Sequence, residues 1–409
     1  MNNEMKDDQV PEGSWGIFRR LDRCPEERWD SFRTIVDHYG AKVGHRSMIS
    51  PIRAQRPFET ISTDEYPYIH PPVSESNDVF CKIVQGFLPA IVLTKDDKPF
   101  QNPYSTTPTK ESLEEYKAIT IINLYSPFAR VLKPPVKDTR EKDIPYGIPL
   151  VHLLTKHYEH IEFVPVEEIA ALISTTVSSL NSTISYFEKK EAPFLLSQYT
   201  FMNIGANAGA SISHLHSQSF INVNEHGQGS KVQSFLVAFE EQRKDNPISC
   251  LGCHYANKDI EYDYLGQKLL IEERVIEENE YWTAFAEYAP ERDGHIRIIP
   301  KKHVSTLIQL NDHEILLLAD ILKKVNWGLS YFIKDFGPQF KIFWDRNILI
   351  RQQFVGYASP LHMLIDIIPV QIVGGAEVFD DHRVCSILPE KTAEIIRDYI
   401  KRKSLNSGP

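Results

Sequence analysis

Basic residues are in short supply. Forty-five Lys and Arg stand against 55 Asp and Glu in 409 residues, a formal net charge of -10 at pH 7. Binding nucleic acid at large needs counterion-releasing contacts from a basic surface. No nucleic-acid partner is therefore expected, and an anionic ligand must be met by a local basic cluster. Cysteine is scarce as well, five in all. An odd count with no secretory leader ahead of it is not a disulfide framework, so a reducing, cytoplasmic setting is expected. No window approaches 18 consecutive apolar residues, and Met1 to Asp8 are polar and acidic, so no membrane association is expected. The chain is long enough for two or three domains around a large core.

The chemistry concentrates between Phe201 and Val223. His214, His216 and Gln218 alternate with Leu215, Ser217 and Ser219, so on a strand the three polar groups share one face. Ahead of them Gly205, Gly209 and small Ala and Ser residues leave a segment of little bulk, where backbone N–H groups can approach an anion closely. Together these suit phosphate chemistry.

Asn203, the small-residue run, Ser211, His214, His216 and Gln218 resemble, in order, the active-site strand of the histidine-triad (HIT) superfamily. Within it they are most similar to the galactose-1-phosphate uridylyltransferases, whose signature ends His-Pro-His-x-Gln; Leu215 stands here in place of the Pro. The resemblance covers roughly residues 47 to 390, specifically at this strand and diffusely elsewhere. It implies an α+β fold of two tandem HIT-like units, each an antiparallel sheet with packed helices. Residues 1–47 are then an N-terminal extension, 48–245 the unit carrying the nucleophile, and 246–409 a second unit with a degenerate active site and a zinc site.

The order of elements agrees with a duplication. One half runs from a strand ending at Tyr125-Ser126-Pro127, through a strand at 149–154 before Lys156-His157, to a helix from Val166 toward Phe187 and the strand at 213–219. The other half repeats this with Phe285 to Pro290, Ile296 to Lys302-His303, a helix from His313 to Val325, and Leu361 to Asp366. Aligned on their closing strands, His362 matches His214, Leu364 matches His216 and Asp366 matches Gln218. Leu cannot attack phosphorus, so one nucleophile per chain is expected, at His216. Elsewhere, a short helix is expected near Glu26 to His38, one or two strands between Val79 and Leu93, and a charged insertion at 131–147.

Ser50 to Pro57 carries Arg53 and Arg56 between two prolines. Taken alone it reads as a solvated basic turn; the resemblance implies nucleotide and phosphate binding. Asn123 either opens the turn before Pro127 or, as the resemblance implies, lies near the nucleotide with Asn203 and His214. Cys250-Leu251-Gly252-Cys253 offers half of a tetrahedral zinc shell, with Gly252 easing the turn. In zinc-binding histidine-triad proteins the other ligands follow the Pro-Lys strand and open the closing strand. The resemblance therefore implies Cys250, Cys253, His303 and His362, holding a structural zinc, with His254 as a substitute ligand. The uridylyltransferase zinc of the first unit lacks a Cys pair near residues 49 to 80, although His157 and His214 remain as half of such a site.

The implied activity is double displacement through a nucleotidyl-histidine, moving UMP between a UDP-sugar and a hexose-1-phosphate. His216 is the nucleophile, with Ser211 and Gln218 stabilising charge on the α-phosphate. A neutral amide at Gln218 donates a hydrogen bond but shuttles no proton, which favours transfer over hydrolysis. Glu377 follows Ala376 where the family places a Tyr, leaving Glu377 as a weak contact to the sugar. The alternatives are an adenylyltransferase of the dinucleoside-polyphosphate phosphorylase type and a non-enzymatic, zinc-stabilised nucleotide-binding protein. A homodimer is left open.

Overall fold

The computed structural model describes residues 78–100, 107–123, 147–188, 197–222, 250–258, 261–264, 267–352, 362–380 and 383–406, together with two strands at 26–36 and 42–49. Its strands in chain order are β1 (Glu26–Val36), β2 (Lys42–Ile49), β3 (Val92–Lys95), β4 (Ala118–Ile122), β5 (Gly147–Leu154), β6 (Ser197–Ile204), β7 (His216–Asn222), β8 (Glu261–Tyr264), β9 (Gln267–Leu270), β10 (Val275–Glu278), β11 (Trp282–Ala286), β12 (Ile296–Pro300), β13 (Ile342–Arg351), β14 (Leu364–Gln371) and β15 (Arg383–Cys385). The helices are α1 (Val79–Val84), α2 (Val166–Glu188), α3 (Leu251–Asn257), α4 (Ile271–Arg274), α5 (Asp312–Phe340), α6 (Gly375–Asp380) and α7 (Pro389–Asn406).

Ten strands form one antiparallel sheet in the order β10-β11-β12-β14-β13-β6-β7-β5-β4-β3. Read outward from its middle, each half has the same plan. β6, β7, β5, β4 and β3 mirror β13, β14, β12, β11 and β10, with α2 and α5 as the equivalent crossovers. The fold is thus α+β, and its two tandem units are merged into one antiparallel sheet where β6 pairs with β13.

α2 and α5 pack on one face of this sheet, where Ile169, Leu172, Leu180 and Ile184 of α2 meet Leu318, Leu322, Phe332 and Ile333 of α5 in the main core. α5 starts at a reciprocal capping box, Asn311 with Glu314, and ends at Lys341 in the left-handed conformation. It runs on to Phe340, well past the expected end at Val325, because Leu329, Phe332 and Ile333 continue the buried helical spacing. Gly328 does not interrupt it: a Cβ there would lie 2.7 Å from Ile396 Cγ2, so the glycine lets α7 approach closely.

Two polar assemblies cross this core. Thr94, Ser179, Thr120, His152, Ser219, Thr200 and Gln352 form a hydrogen-bonded chain through successive strands, with links of 2.6–3.1 Å. Buried polar groups are tolerable when partnered in this way. Burial pushes the His152 imidazole down to about 3, with the neighbouring His216 adding to the effect, so it stays neutral. The other assembly joins the two units: Arg346 of β13 donates two 2.8 Å bonds to the Glu162 carboxylate, and Arg346 also donates to Ser330 of α5.

Two expectations are corrected. Glu26–Val36 is a strand, not a helix; it pairs with β2, which pairs in parallel with β15 near the other end of the chain. Between Val79 and Leu93 the chain first forms α1, because the Asp78 carboxylate accepts the Phe80 N–H and caps a helix there, and only then enters β3. No helix among the described residues is long and apolar enough to cross a membrane.

Candidate functional site

His216 opens β7, and alternation along that strand places His216 and Gln218 on the face away from α2, while Ser219 turns toward the buried polar chain. The Phe80 ring packs edge-on against His216, with centroids 5.0 Å apart. His216 Nδ1 lies 2.7 Å from the carbonyl oxygen of His214. A carbonyl only accepts, so Nδ1 carries the proton and Nε2 presents a lone pair. Burial lowers the His216 pKa, which keeps the ring neutral. The imidazole is therefore oriented and deprotonated at one nitrogen, as nucleophilic attack requires.

Beside it the small-residue run folds into a compact turn. Gly205 and Gly209 both have positive φ, +87° and +91°, a region open to glycine. Ala208 and Ala210 N–H groups bond to the Gly205 carbonyl and Gly209 N–H to that of Ala206, while Asn207 N–H donates to Asp345. Four of the loop's amides are thus engaged within the protein. An anion would meet its far end, where Ser211 and Ser213 are exposed.

The expected nucleotide-binding residues fall in different surroundings. Asn203 donates to the Gly209 carbonyl and accepts from Asn347, so its amide is part of the loop's scaffold. Asn123 leaves β4 with its N–H on the Pro149 carbonyl, two strands from β7. Arg53 and Arg56 lie outside the described residues, as does most of the 131–147 insertion. Glu377 is buried and accepts the Gly374 N–H at the start of α6.

Two side-chain clusters could hold a metal ion, each with four ligand atoms within 4.8 Å of one another. One is Cys250, Cys253, His303 and His362. His362 Nδ1 lies 3.5 Å from Cys250 Sγ and 3.4 Å from Cys253 Sγ, and His303 Nδ1 lies 3.5 Å from Cys253 Sγ. Tetrahedral zinc, with bonds of about 2.0–2.3 Å, gives edges of about 3.3–3.8 Å, so the spacing fits. His362 donates its other N–H to the Pro300 carbonyl, which fixes the tautomer with Nδ1 toward the thiols. His254 is not in the cluster. Gly252 lies inside α3, where a Cβ would be 2.5 Å from the His362 ring; close packing on this ligand, not a turn, requires glycine.

The other cluster, Asp78, Cys81, His157 and His214, belongs to the first unit. His214 Nε2 bonds to the Leu154 carbonyl at 2.8 Å, the counterpart of the His362 bond to Pro300. His157 Nδ1, His214 Nδ1 and Cys81 Sγ converge on one carboxylate oxygen of Asp78 at 2.9, 2.6 and 3.0 Å. Three donors on one oxygen form an arrangement that a central cation would relieve by replacing protons. Burial works against it, but hydrogen bonds from His214, Cys81 and His157 hold the Asp78 carboxyl well below the usual range. Sequence reasoning missed Asp78 and Cys81. Their signal was the three-residue spacing at a helix start, shared with Cys250 and Cys253, but with a carboxylate in place of a thiolate. A cavity of about 360 Å3, lined in part by Gln85, Glu114, Lys156 and Tyr158, opens onto Cys81 and His157 and not onto His216.

Residues 268–336 match the HIT domain model. Over 200 residues the chain is 26% identical to ADP-glucose phosphorylase of Arabidopsis thaliana, a match to 48% of this chain and 50% of that one. It is 31% identical over 128 residues to galactose-1-phosphate uridylyltransferase of Haemophilus influenzae, across 31% of this chain and 32% of that one. The matched part thus spans half or less of these two curated relatives. In fold it resembles a crystal structure of the Arabidopsis thaliana ADP-glucose phosphorylase with bound ADP-glucose, at TM-score 0.62 and 20% identity over 91% of this chain and 98% of that one.

Proposed function

From the premise that the chain belongs, as a distant member, to the galactose-1-phosphate uridylyltransferase-like branch of the histidine-triad superfamily, we propose that it is a nucleotidyltransferase working through a nucleotidyl-histidine at His216. The observation that carries this reading is the Nδ1 bond of His216 to the His214 carbonyl, which leaves Nε2 as an oriented nucleophile. Nε2 attacks the α-phosphorus of a nucleoside diphosphate sugar. A P–N bond forms, the P–O bond to the β-phosphate breaks, and the sugar 1-phosphate leaves with the electron pair. An acceptor phosphate oxygen then attacks the same phosphorus; a P–O bond forms, the P–N bond breaks and the imidazole is restored. Ser211, Gln218 and the 211–213 end of the loop would stabilise the negative charge that builds on the phosphoryl oxygens. Arg53, Arg56, Asn123 and Asn203 complete the proposed nucleotide site, and Glu377 is the proposed contact to the sugar.

UMP transfer between a UDP-sugar and a hexose-1-phosphate is the first reading of the substrates. The similarity to ADP-glucose phosphorylase favours a second, in which an ADP-sugar donates AMP to inorganic phosphate. Cys250, Cys253, His303 and His362 would hold a structural zinc, and Asp78, Cys81, His157 and His214 a second ion. Such an ion supplies a cross-link between the start of each unit and its closing strand; four protein ligands leave no open position for substrate.

Incubation with UDP-glucose or ADP-glucose labelled at the α-phosphate tests the reading. An acid-labile, base-stable adduct on His216 is expected, and phosphate or a hexose-1-phosphate should discharge it according to the true acceptor. Equal labelling of His216→Ala and the native chain would overturn the assignment.

A further inference from the structure

The unit that lacks a nucleophile reaches into the site of the unit that has one. β13 runs alongside β6, with Asn347 opposite Asn203, and alternation along β13 directs Asp345 and Asn347 to the same side. Asp345 is almost wholly buried, and its Oδ2 accepts the Asn207 N–H at 2.5 Å. Its carboxylate fills the space beside Gly205 so closely that a Cβ on Gly205 would lie 2.4 Å from Asp345 Cγ. Asn347 spreads its amide across the other side of the same turn, donating to Asn203 Oδ1 and to the Ala208 carbonyl, both at 2.9 Å. The loop therefore hangs from two side chains of β13 as well as from its own short-range bonds.

We infer that Asp345 and Asn347 are positioning residues for nucleotidyl transfer, fixing the 205–210 turn so that Ser211 and the loop's far end face the phosphate that His216 attacks; this rests on the activity proposed above. A bare carboxylate beside a phosphate site would repel the substrate. Here Asp345 is turned onto the Asn207 N–H, on the loop's second-unit side, so its charge serves to orient the amide. Preorganisation of the donors is the effect at stake, because donors already in place need no reorganisation when charge develops. A displacement of about 1 Å in such a group can cost about 100-fold in rate.

Asp345→Ala, Asn347→Ala and Asp345→Asn separate positioning from mere folding. Asp345→Ala and Asn347→Ala should form the His216 adduct about 10- to 100-fold more slowly, with KM for the labelled sugar nucleotide changed less than about threefold. Amide exchange should accelerate in peptides covering 203–213 and stay unchanged in β11 and β12. Asp345→Asn keeps an acceptor oxygen and should recover most of the rate. Adduct formation within about twofold of the native rate in both alanine variants, with unchanged exchange in the loop, would overturn the inference. If Asp345→Ala does not fold, Asn347→Ala decides by the same two readouts. A native chain that labels normally while the variants do too sinks this inference alone. A native chain that never labels, with the loop still loosened in the variants, leaves the clamp standing and sinks the proposed activity instead.

Discussion

Gln218 and Asp366 lie on one rung of the sheet. Gln218 is opposite Phe201, Phe201 opposite Leu349, and Leu349 opposite Asp366, so the two are related across the β6–β13 junction. What is an amide in the first unit is a buried carboxylate in the second, bonded to Arg297 Nε at 2.7 Å and Arg351 Nε at 2.6 Å. Burial opposes ionisation of Asp366, but the two guanidiniums and His295 keep its carboxyl well below the ordinary range. The position proposed to face phosphate in one unit is an ion-paired core in the other.

Asp366→Asn should therefore be a stability variant. It leaves two arginines without their shared counter-charge, and loss of one member of a buried ion pair costs about 3–5 kcal/mol. Denaturant unfolding should show that loss, while the folded fraction still forms the His216 adduct.

Gln218→Ala should do the reverse. Removing one donor aimed at developing phosphoryl charge is expected to slow transfer about 100- to 1000-fold. Its denaturation midpoint should stay close to native, since the Gln218 side chain is on the site face and not in the α2 core. Single-turnover labelling beside thermal melting measures both.

The double variant Cys250→Ser with Cys253→Ser should lose one zinc per chain, by metal analysis, and melt at lower temperature. Its folded fraction should still be labelled at His216, because the ligands cluster in the second unit. Full zinc content in this variant would exclude the proposed ligand set.

Stability should fall on the acid side through His152. Its folded pKa is depressed to about 3 by burial, whereas in the unfolded chain it titrates near 6.5. Above about pH 6.5 neither state takes up the proton and the effect is nil; between about 6.5 and 3 the unfolded state alone does, which costs the folded state about 1.4 kcal/mol per pH unit. His152→Gln removes this titration, so its deficit relative to the native chain should shrink as pH is lowered from 7 to 5. Urea unfolding at several pH values checks the sign.

Part of the candidate site is legible in the sequence because it is local. Alternation at 216–219 gives the face shared by His216 and Gln218, whereas His214 precedes the strand and turns to Asp78 and the Leu154 carbonyl; the repeated order of strand, Lys-His, helix and His-bearing strand gives the duplication. What escaped depends on distant partners. Glu26–Val36 mixes charged and apolar residues without a clean period and is a strand through pairing with β2, itself held by β15. Asp78 and Cys81 escape the sequence because the expected pattern is a thiol pair, and a carboxylate and one thiol stand there. Asp345 and Asn347 have no motif at all; they reach the 205–210 turn only because β13 flanks β6.

That junction also sets a timetable. The chain is made from its N-terminus, and β6 emerges some 140 residues before the strand that covers its outer side, a gap read from Ile204 to Ile342. Until then β6 is an open edge with unpaired N–H and C=O groups, the kind of surface on which incomplete chains join one another. A product truncated after residue 260 would keep β7 and lose both the cover of β6 and the Asp345 and Asn347 side chains that bond to the 205–210 turn and to Asn203. Such a fragment should aggregate rather than fold into a smaller version of the protein, so the second unit would shield the open edge of the first as the chain folds.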